Sequence, residues 1–262
     1  FVDFFDTAGT LVGVGTERIE EELKLLYPKA RLLRVDLDTV GTRTAFIDAW
    51  QKISSGKVDI ILGTQMIAKG FHLERVTLVG VIAADLALFL PDFRSAERTF
   101  SVLTQVAGRA GRSRRGGEVL VQTYMPQHYA VRWAQTHDYR SFYAQEIDYR
   151  RMLGFPPITR AIAIVVSDKN QEAVTAQARN LGMMIRRFVK GDRERDRAMK
   201  VLGPAPSPIS RLRNQYRWRL LFLGERPSVM RAALKKGLER FEKHYAKPKV
   251  QVTIDVDPHD ML

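Results

Sequence analysis

The segment Gln105-Val106-Ala107-Gly108-Arg109-Ala110-Gly111-Arg112 places two arginines one helical turn apart, with glycines beside them. A guanidinium stays charged and presents a planar fork of donors that matches phosphate oxygens. Glycine lets another backbone come close. Two such forks beside a tight turn can cover the charge that develops on a γ-phosphoryl group during its transfer. A basic helix end running into the exposed loop Ser113-Arg114-Arg115-Gly116-Gly117 would give the same letters, so the motif alone leaves both readings open.

A second basic cluster interleaves Arg211, Arg213, Arg217 and Arg219 with Tyr216 and Trp218. Such a surface can track phosphates and stack bases, which makes Arg211, Arg213, Arg217 and Trp218 candidate DNA contacts. If the segment is a strand, alternation puts Tyr216 and Trp218 on one face and Arg217 and Arg219 on the other. An aromatic core face with a solvated arginine face is the competing reading. Composition favours a polyanionic partner: 42 Lys+Arg against 29 Asp+Glu give a net charge of +13. With no cysteine, disulfides and thiolate metal sites are excluded, and the five scattered histidines supply no replacement zinc site. Neither an apolar run of membrane-spanning length nor a signal-peptide pattern occurs, which argues for a soluble protein without a membrane partner.

The elements that must position these residues alternate in the first half as in a parallel α/β sheet. Expected are a helix over 17–26 capped by Thr16, a strand over 31–35, a helix over 43–53, strands over 58–62 and 76–82, a helix over 94–106 and a strand over 118–123. Asp59-Ile60-Ile61-Leu62 and Val76 to Ile82 are the near-continuous apolar runs that buried parallel strands need. Functional loops on such a sheet lie beyond the carboxyl ends of strands, so Gly63 to Gly70 and Ala83-Ala84-Asp85 are expected on one edge, shared with the arginine pair. Asp85 either orients a motif arginine or ends a strand, and Asp92 either caps the arginine-bearing helix or has a coupling role. Residues 127–156 form a helical linker broken at Gly154-Phe155-Pro156-Pro157. Strands over 160–166, 200–203, 216–223 and 250–256 with helices over 171–189 and 228–244 then follow in the order βαββαβ.

The ordered motifs resemble a known family. Gln105 to Arg112 is similar to the last helicase motif of superfamily 2, and Gly63-Thr64-Gln65-Met66-Ile67-Ala68-Lys69-Gly70 to the one before it. The intervening Leu90-Pro91-Asp92-Phe93-Arg94-Ser95-Ala96-Glu97-Arg98-Thr99-Phe100 resembles the PriA family of primosomal replication-restart helicases. Gly154-Phe155-Pro156-Pro157, Leu202-Gly203-Pro204-Ala205-Pro206, Tyr216-Arg217-Trp218 and Asp255-Val256-Asp257-Pro258 continue the match from about Gly13 to the end.

The resemblance implies a RecA-like second motor domain over 1–126, with a cysteine-free residue of an insertion at 1–12, the helical linker over 127–156, and a ferredoxin-like α+β domain for DNA forks over 157–262. It implies that Gln105, Arg109 and Arg112 face the γ-phosphate, with Arg112 as the finger. Gly63, Lys69, Gly70 and Asp85 would line the nucleotide cleft, while Thr64 and Gln65 would touch the DNA backbone or couple it to the nucleotide. The activity implied is ATP-dependent DNA unwinding, 3′-to-5′, at stalled forks in the bacterial cytoplasm, near the nucleoid. The implied partners are forked and single-stranded DNA, single-strand-binding protein and the proteins that load the replicative helicase. A non-catalytic DNA-binding scaffold of the primosome is the alternative. No G-x-x-x-x-G-K-[ST] loop and no acidic magnesium motif occur, so ATP and Mg²⁺ are expected to be held mostly by a further, upstream half, consistent with Phe1 standing where an initiator Met would. The family's cysteine-rich zinc segment would end just before Gly15-Thr16-Glu17-Arg18, where Phe1 to Asp6 stand here, so no zinc is expected. The family more often has an acidic residue at Ala83 and a histidine at Phe71.

Overall fold

The computed structural model describes residues 2–6, 15–35, 40, 42–63, 76–110, 117–191, 198–245 and 249–261. The chain divides into two compact units, residues 1–90 with 94–146, and residues 91–93 with 147–262.

The amino unit is built on five parallel strands, β1 (Val2–Asp6), β2 (Leu32–Val35), β3 (Ile60–Gly63), β4 (Leu78–Ile82) and β5 (Glu118–Val121), in the order β2-β3-β1-β4-β5. Helices α1 (Gly15–Leu26), α2 (Arg43–Ser54) and α3 (Ser95–Ala110) connect them, with a 3₁₀ turn at Leu86–Phe89. Strand β1, within the segment expected to be the remnant of an insertion, is the central strand, Phe4 pairing with Leu62 on one side and Gly80 on the other. The helix expected to be capped by Thr16 begins at Gly15, and of its apolar stripe only Leu23 is buried. In α2, Thr42 Oγ1 accepts from the Ala45 N–H at 3.2 Å, a cap that turns Ala49 and Ile53 into the core. Register at the β2 edge is fixed by Arg31, whose Nε and Nη2 donate to Asp59 Oδ2 and Oδ1 at 2.8 and 2.7 Å.

Helices α4 (Tyr129–Gln135) and the first part of α5 (Tyr139–Leu153) complete this core instead of forming a separate linker. Ala130, Val131, Ala134 and Phe142 are buried with Phe100, Leu103 and Val106 of α3, and the Phe100 and Phe142 rings stack 4.2 Å apart. His128 caps α4: its Nδ1 accepts from the Ala130 N–H at 3.2 Å.

The carboxyl unit has four antiparallel strands, β6 (Arg160–Asp168), β7 (Lys200–Leu212), β8 (Gln215–Gly224) and β9 (Gln251–Val256), in the order β7-β8-β6-β9. Helices α6 (Gln171–Gly191) and α7 (Pro227–Tyr245) give the element order βαββαβ. Ile162, Ile164, Val166, Leu220 and Phe222 on one sheet face pack with Val174, Leu181, Ile185, Met230 and Leu234 of the helices. Each large side chain so buried contributes roughly 1.5–3 kcal/mol. Gly237 lets α7 approach α6, because a Cβ there would stand 3.0 Å from Ile185 Cγ1 and 3.1 Å from its Cα. The strand expected to end at Gly203 runs on to Leu212, through Pro204, Pro206 and Pro208. Proline is admitted because β7 is an edge strand interrupted by register shifts between Leu202 and Ala205 and between Pro206 and Arg211. Arg213 and Asn214, at φ 49° and 62°, close it onto β8 as a two-residue turn with Leu212 opposite Gln215.

Candidate functional site

Every strand pair in the amino unit is parallel, so the carboxyl ends of β3 and β4 lie on one edge. Gly63 stands at that edge, buried as the last residue of β3. Thr64, Gln65, Lys69 and Gly70 lie outside the described residues, in the segment that joins the carboxyl edge of β3 to the amino edge of β4. Asp85 follows β4 and is 1 % exposed. Its Oδ2 accepts from the Tyr124 N–H at 3.3 Å, so the carboxylate braces the end of β4 against the chain leaving β5, and it does not open to solvent. Its Oδ1 has no hydrogen-bond partner among the described residues. Ala83, just before it, takes φ 50°, a left-handed backbone that an alanine adopts at a cost.

Helix α3 carries Gln105 and the backbone of Arg109; Arg112 lies outside the described residues. Phe100, Leu103 and Val106 are buried, whereas Ser101 and Gln105 are exposed. Because α3 connects the adjacent parallel strands β4 and β5, it must run back against the strand direction. Its foot, with Gln105 and Arg109, therefore points to the amino edge. The expectation that the arginines share the carboxyl edge with Gly63 and Asp85 is corrected by this return path.

In the carboxyl unit the predicted alternation along β8 holds. Tyr216 and Trp218 are half-buried against the helix-facing core, so Trp218, read as a base-stacking candidate, serves that core. Arg211 and Arg213 are exposed at the end of the β7–β8 hairpin. The Arg211 guanidinium lies 5.2 Å from the Tyr216 ring centroid and donates through Nη2 to Asn214 Oδ1, which orders the basic tip. Arg217, paired opposite Ser167, occupies the other face from Trp218.

That other face holds a group that the residue types alone did not announce. Leu221, Leu223, Ala161 and Met261 are buried there with Phe93 and Phe155 against them. Arg219 Nη2 donates to the Pro91 carbonyl at 2.7 Å, and its Nη1 to the Met261 carbonyl. Burial pushes the Arg219 guanidinium down from its ordinary value, opposed by the Asp92 carboxylate. Asp92, 7 % exposed, accepts on Oδ2 from the Met261 N–H at 3.4 Å. Helix α3 begins three residues beyond it, at Ser95. Phe93 stacks on Phe155 at 5.4 Å and 11°, with the Arg150 guanidinium 5.3 Å from the Phe93 ring. The one signal in sequence was the placing of Arg219 opposite the aromatics.

Among known proteins, the family described as primosomal protein N C-terminal domain matches residues 151–259. The chain is 42 % identical over 252 residues to the replication restart protein PriA of Bacillus subtilis, covering 95 % of this chain and 30 % of that protein. It is 39 % identical to the replication restart protein PriA of Synechocystis, covering 94 % of this chain and 28 % of that protein. With that of Treponema pallidum it shares 39 % identity, covering 95 % of this chain and 36 % of that protein. The chain thus spans about a third of the length of these relatives. Among solved structures, the C-terminal domain of the DEAD-box protein Dbp5 overlaps 53 % of this chain and 70 % of its own at 14 % identity, with a TM-score of 0.38.

Proposed function

The chain belongs to the PriA family of replication restart proteins, as a carboxyl-terminal portion, and from that premise we propose that it supplies the second half of an ATP-hydrolysing DNA helicase together with a unit that binds branched DNA. In this reading the amino unit is a RecA-like motor domain and the carboxyl unit a ferredoxin-like fork domain. Arg112 is the finger on the γ-phosphate, with Arg109 and Gln105 beside it. Lys69 and Gly70 lead into the same amino edge, while Gly63, Thr64 and Gln65 leave the carboxyl edge, where Thr64 and Gln65 meet DNA. ATP and Mg²⁺ are held mostly by protein outside this chain. Arg211, Arg213 and Arg217 meet phosphates of the fork, and Trp218 keeps their strand in place.

The observation that carries the reading is the return path of α3, which brings Gln105 and Arg109 to the edge where the chain enters β4 and β5. A phosphate bound there would be met by guanidinium groups from one edge of a rigid sheet, the preorganised arrangement that stabilises a transferring phosphoryl group. The work is replication restart by primosome assembly, with movement 3′-to-5′, in the cytoplasm, and with single-strand-binding protein and helicase-loading proteins as partners. No helix among the described residues is long and apolar enough to cross a membrane. The test is ATP hydrolysis by the full-length protein with and without forked DNA. Hydrolysis stimulated by the fork is expected; tight fork binding without hydrolysis would favour a non-catalytic scaffold.

A further inference from the structure

Two motifs that the motor reading does not use, Leu90-Pro91-Asp92-Phe93 and Gly154-Phe155-Pro156-Pro157, are brought together in the carboxyl unit. The chain leaves the amino unit at Leu90, spends three residues packed in the carboxyl unit, and returns at Arg94 to begin α3. Those three residues are held at each step. Pro91 gives its carbonyl to Arg219, Asp92 takes the Met261 N–H, and Phe93 stacks on Phe155 and has the Arg150 guanidinium over its ring. Arg219 closes the ring by donating also to the Met261 carbonyl. Arg150 is itself fixed through Nη1 to the Pro156 carbonyl at 3.2 Å, and Lys200 Nζ, 5.9 Å from the Phe155 ring, donates to the Leu153 carbonyl.

A guanidinium that bridges two carbonyls and a buried carboxylate that takes a backbone N–H are both costly to leave unmatched, so the segment is gripped and not merely covered. We propose that Arg219 and Phe155 are positioning residues for the motor: they strap Pro91–Phe93 into the DNA-binding unit and so fix the point from which the arginine-bearing helix α3 starts. The inference rests on the motor reading above. Its content is that DNA bound by the carboxyl unit is felt at Arg109 and Arg112 through three residues of chain. The strap touches neither nucleotide nor DNA, and its effect is expected in the coupling of the two.

The experiment uses the full-length protein with Arg219→Gln and, as a milder change that keeps an apolar side chain but removes the ring, Phe93→Leu. Two readouts are taken: amide hydrogen exchange over residues 92–101, and the ratio of fork-stimulated to basal kcat with the KM for ATP. Both variants are expected to exchange at least about tenfold faster over 92–101, with β6 and β8 unchanged, because local opening becomes easier once the grip on the segment is weakened. The stimulation ratio is expected to fall about tenfold while basal kcat, KM for ATP and fork affinity stay within about threefold. Native exchange over 92–101 in a folded variant, or a native stimulation ratio despite faster exchange, overturns the strap. A native protein that hydrolyses no ATP defeats the motor reading instead, and the exchange arm still decides whether the strap exists. Should Arg219→Gln fail to fold, Phe93→Leu carries both arms.

Discussion

Gly203 offers the sharpest structural perturbation. It takes φ +83°, and a Cβ added there would stand 2.7 Å from the Arg219 carbonyl oxygen, 3.2 Å from the Ala205 nitrogen and 3.4 Å from Leu220 Cα. All three are backbone atoms, so no side chain can swing aside. An L-residue in the left-handed region costs roughly 1–2 kcal/mol. Forcing two strands apart to relieve a 2.7 Å approach adds an overpacking penalty of about 1–3 kcal/mol. The smaller entropy of the unfolded alanine chain returns about 0.5–1 kcal/mol. Gly203→Ala is therefore expected to destabilise the carboxyl unit by roughly 2–4 kcal/mol, which at about 4 °C per kcal/mol lowers its Tm by roughly 8–16 °C. Calorimetry with urea unfolding followed by near-ultraviolet circular dichroism measures it. Gly191→Ala is the control, since nothing lies within 4 Å of its added Cβ, and a change within about 0.5 kcal/mol is expected. A loss below about 1 kcal/mol at Gly203 would refute the reasoning, because neither the φ strain nor the close approach would then be real.

Ala83→Gly is expected to stabilise the amino unit by roughly 0.5–1 kcal/mol by relieving the left-handed alanine at φ 50°, read as a shift in urea midpoint at constant m. Burial holds His128 below its ordinary value, Glu146 opposing, and its Nδ1 must be free of a proton to accept from Ala130. The unfolded chain therefore binds the extra proton first: stability is full above about 6.5 and falls as pH drops through the native value. His128→Asn, which keeps a capping oxygen, is expected to flatten that dependence in thermal melts between about pH 7.5 and 5. Arg211→Ala with Arg213→Ala is expected to weaken fork binding for all sequences alike and to reduce the slope of log K against log salt by about 2, one for each phosphate no longer neutralised.

Much of the fold was legible because its signals are local. Ile60-Ile61-Leu62 and Leu78 to Ile82 read as parallel strands since both faces of such strands are buried, and the βαββαβ order followed from successive periodicities. What escaped was set by tertiary context. The prolines of β7 argue against a strand until the strand is known to lie at an edge. Val2 to Asp6 is too short to declare itself without the neighbours that cover it on both sides. At the site, residue types were readable and their edges were not: strand direction and helix return, which no spacing reports, separate Gly63 and Asp85 from Arg109. The Arg219 grip on Pro91 joins residues 128 positions apart, and nothing in either local sequence announces the other.

In the proposed function the foot of α3 supplies the arginine half of an ATP site. The direct measurement is single-turnover ATP hydrolysis on forked DNA by the full-length protein, native against Arg112→Ala, with fork affinity and nucleotide affinity measured on the same samples. A fall of about 10³-fold or more in the hydrolysis rate is expected, with both affinities within about threefold of native. A variant that hydrolyses within about threefold of native would contradict it, since an arginine that faces the transferring phosphoryl group cannot be removed without loss of rate.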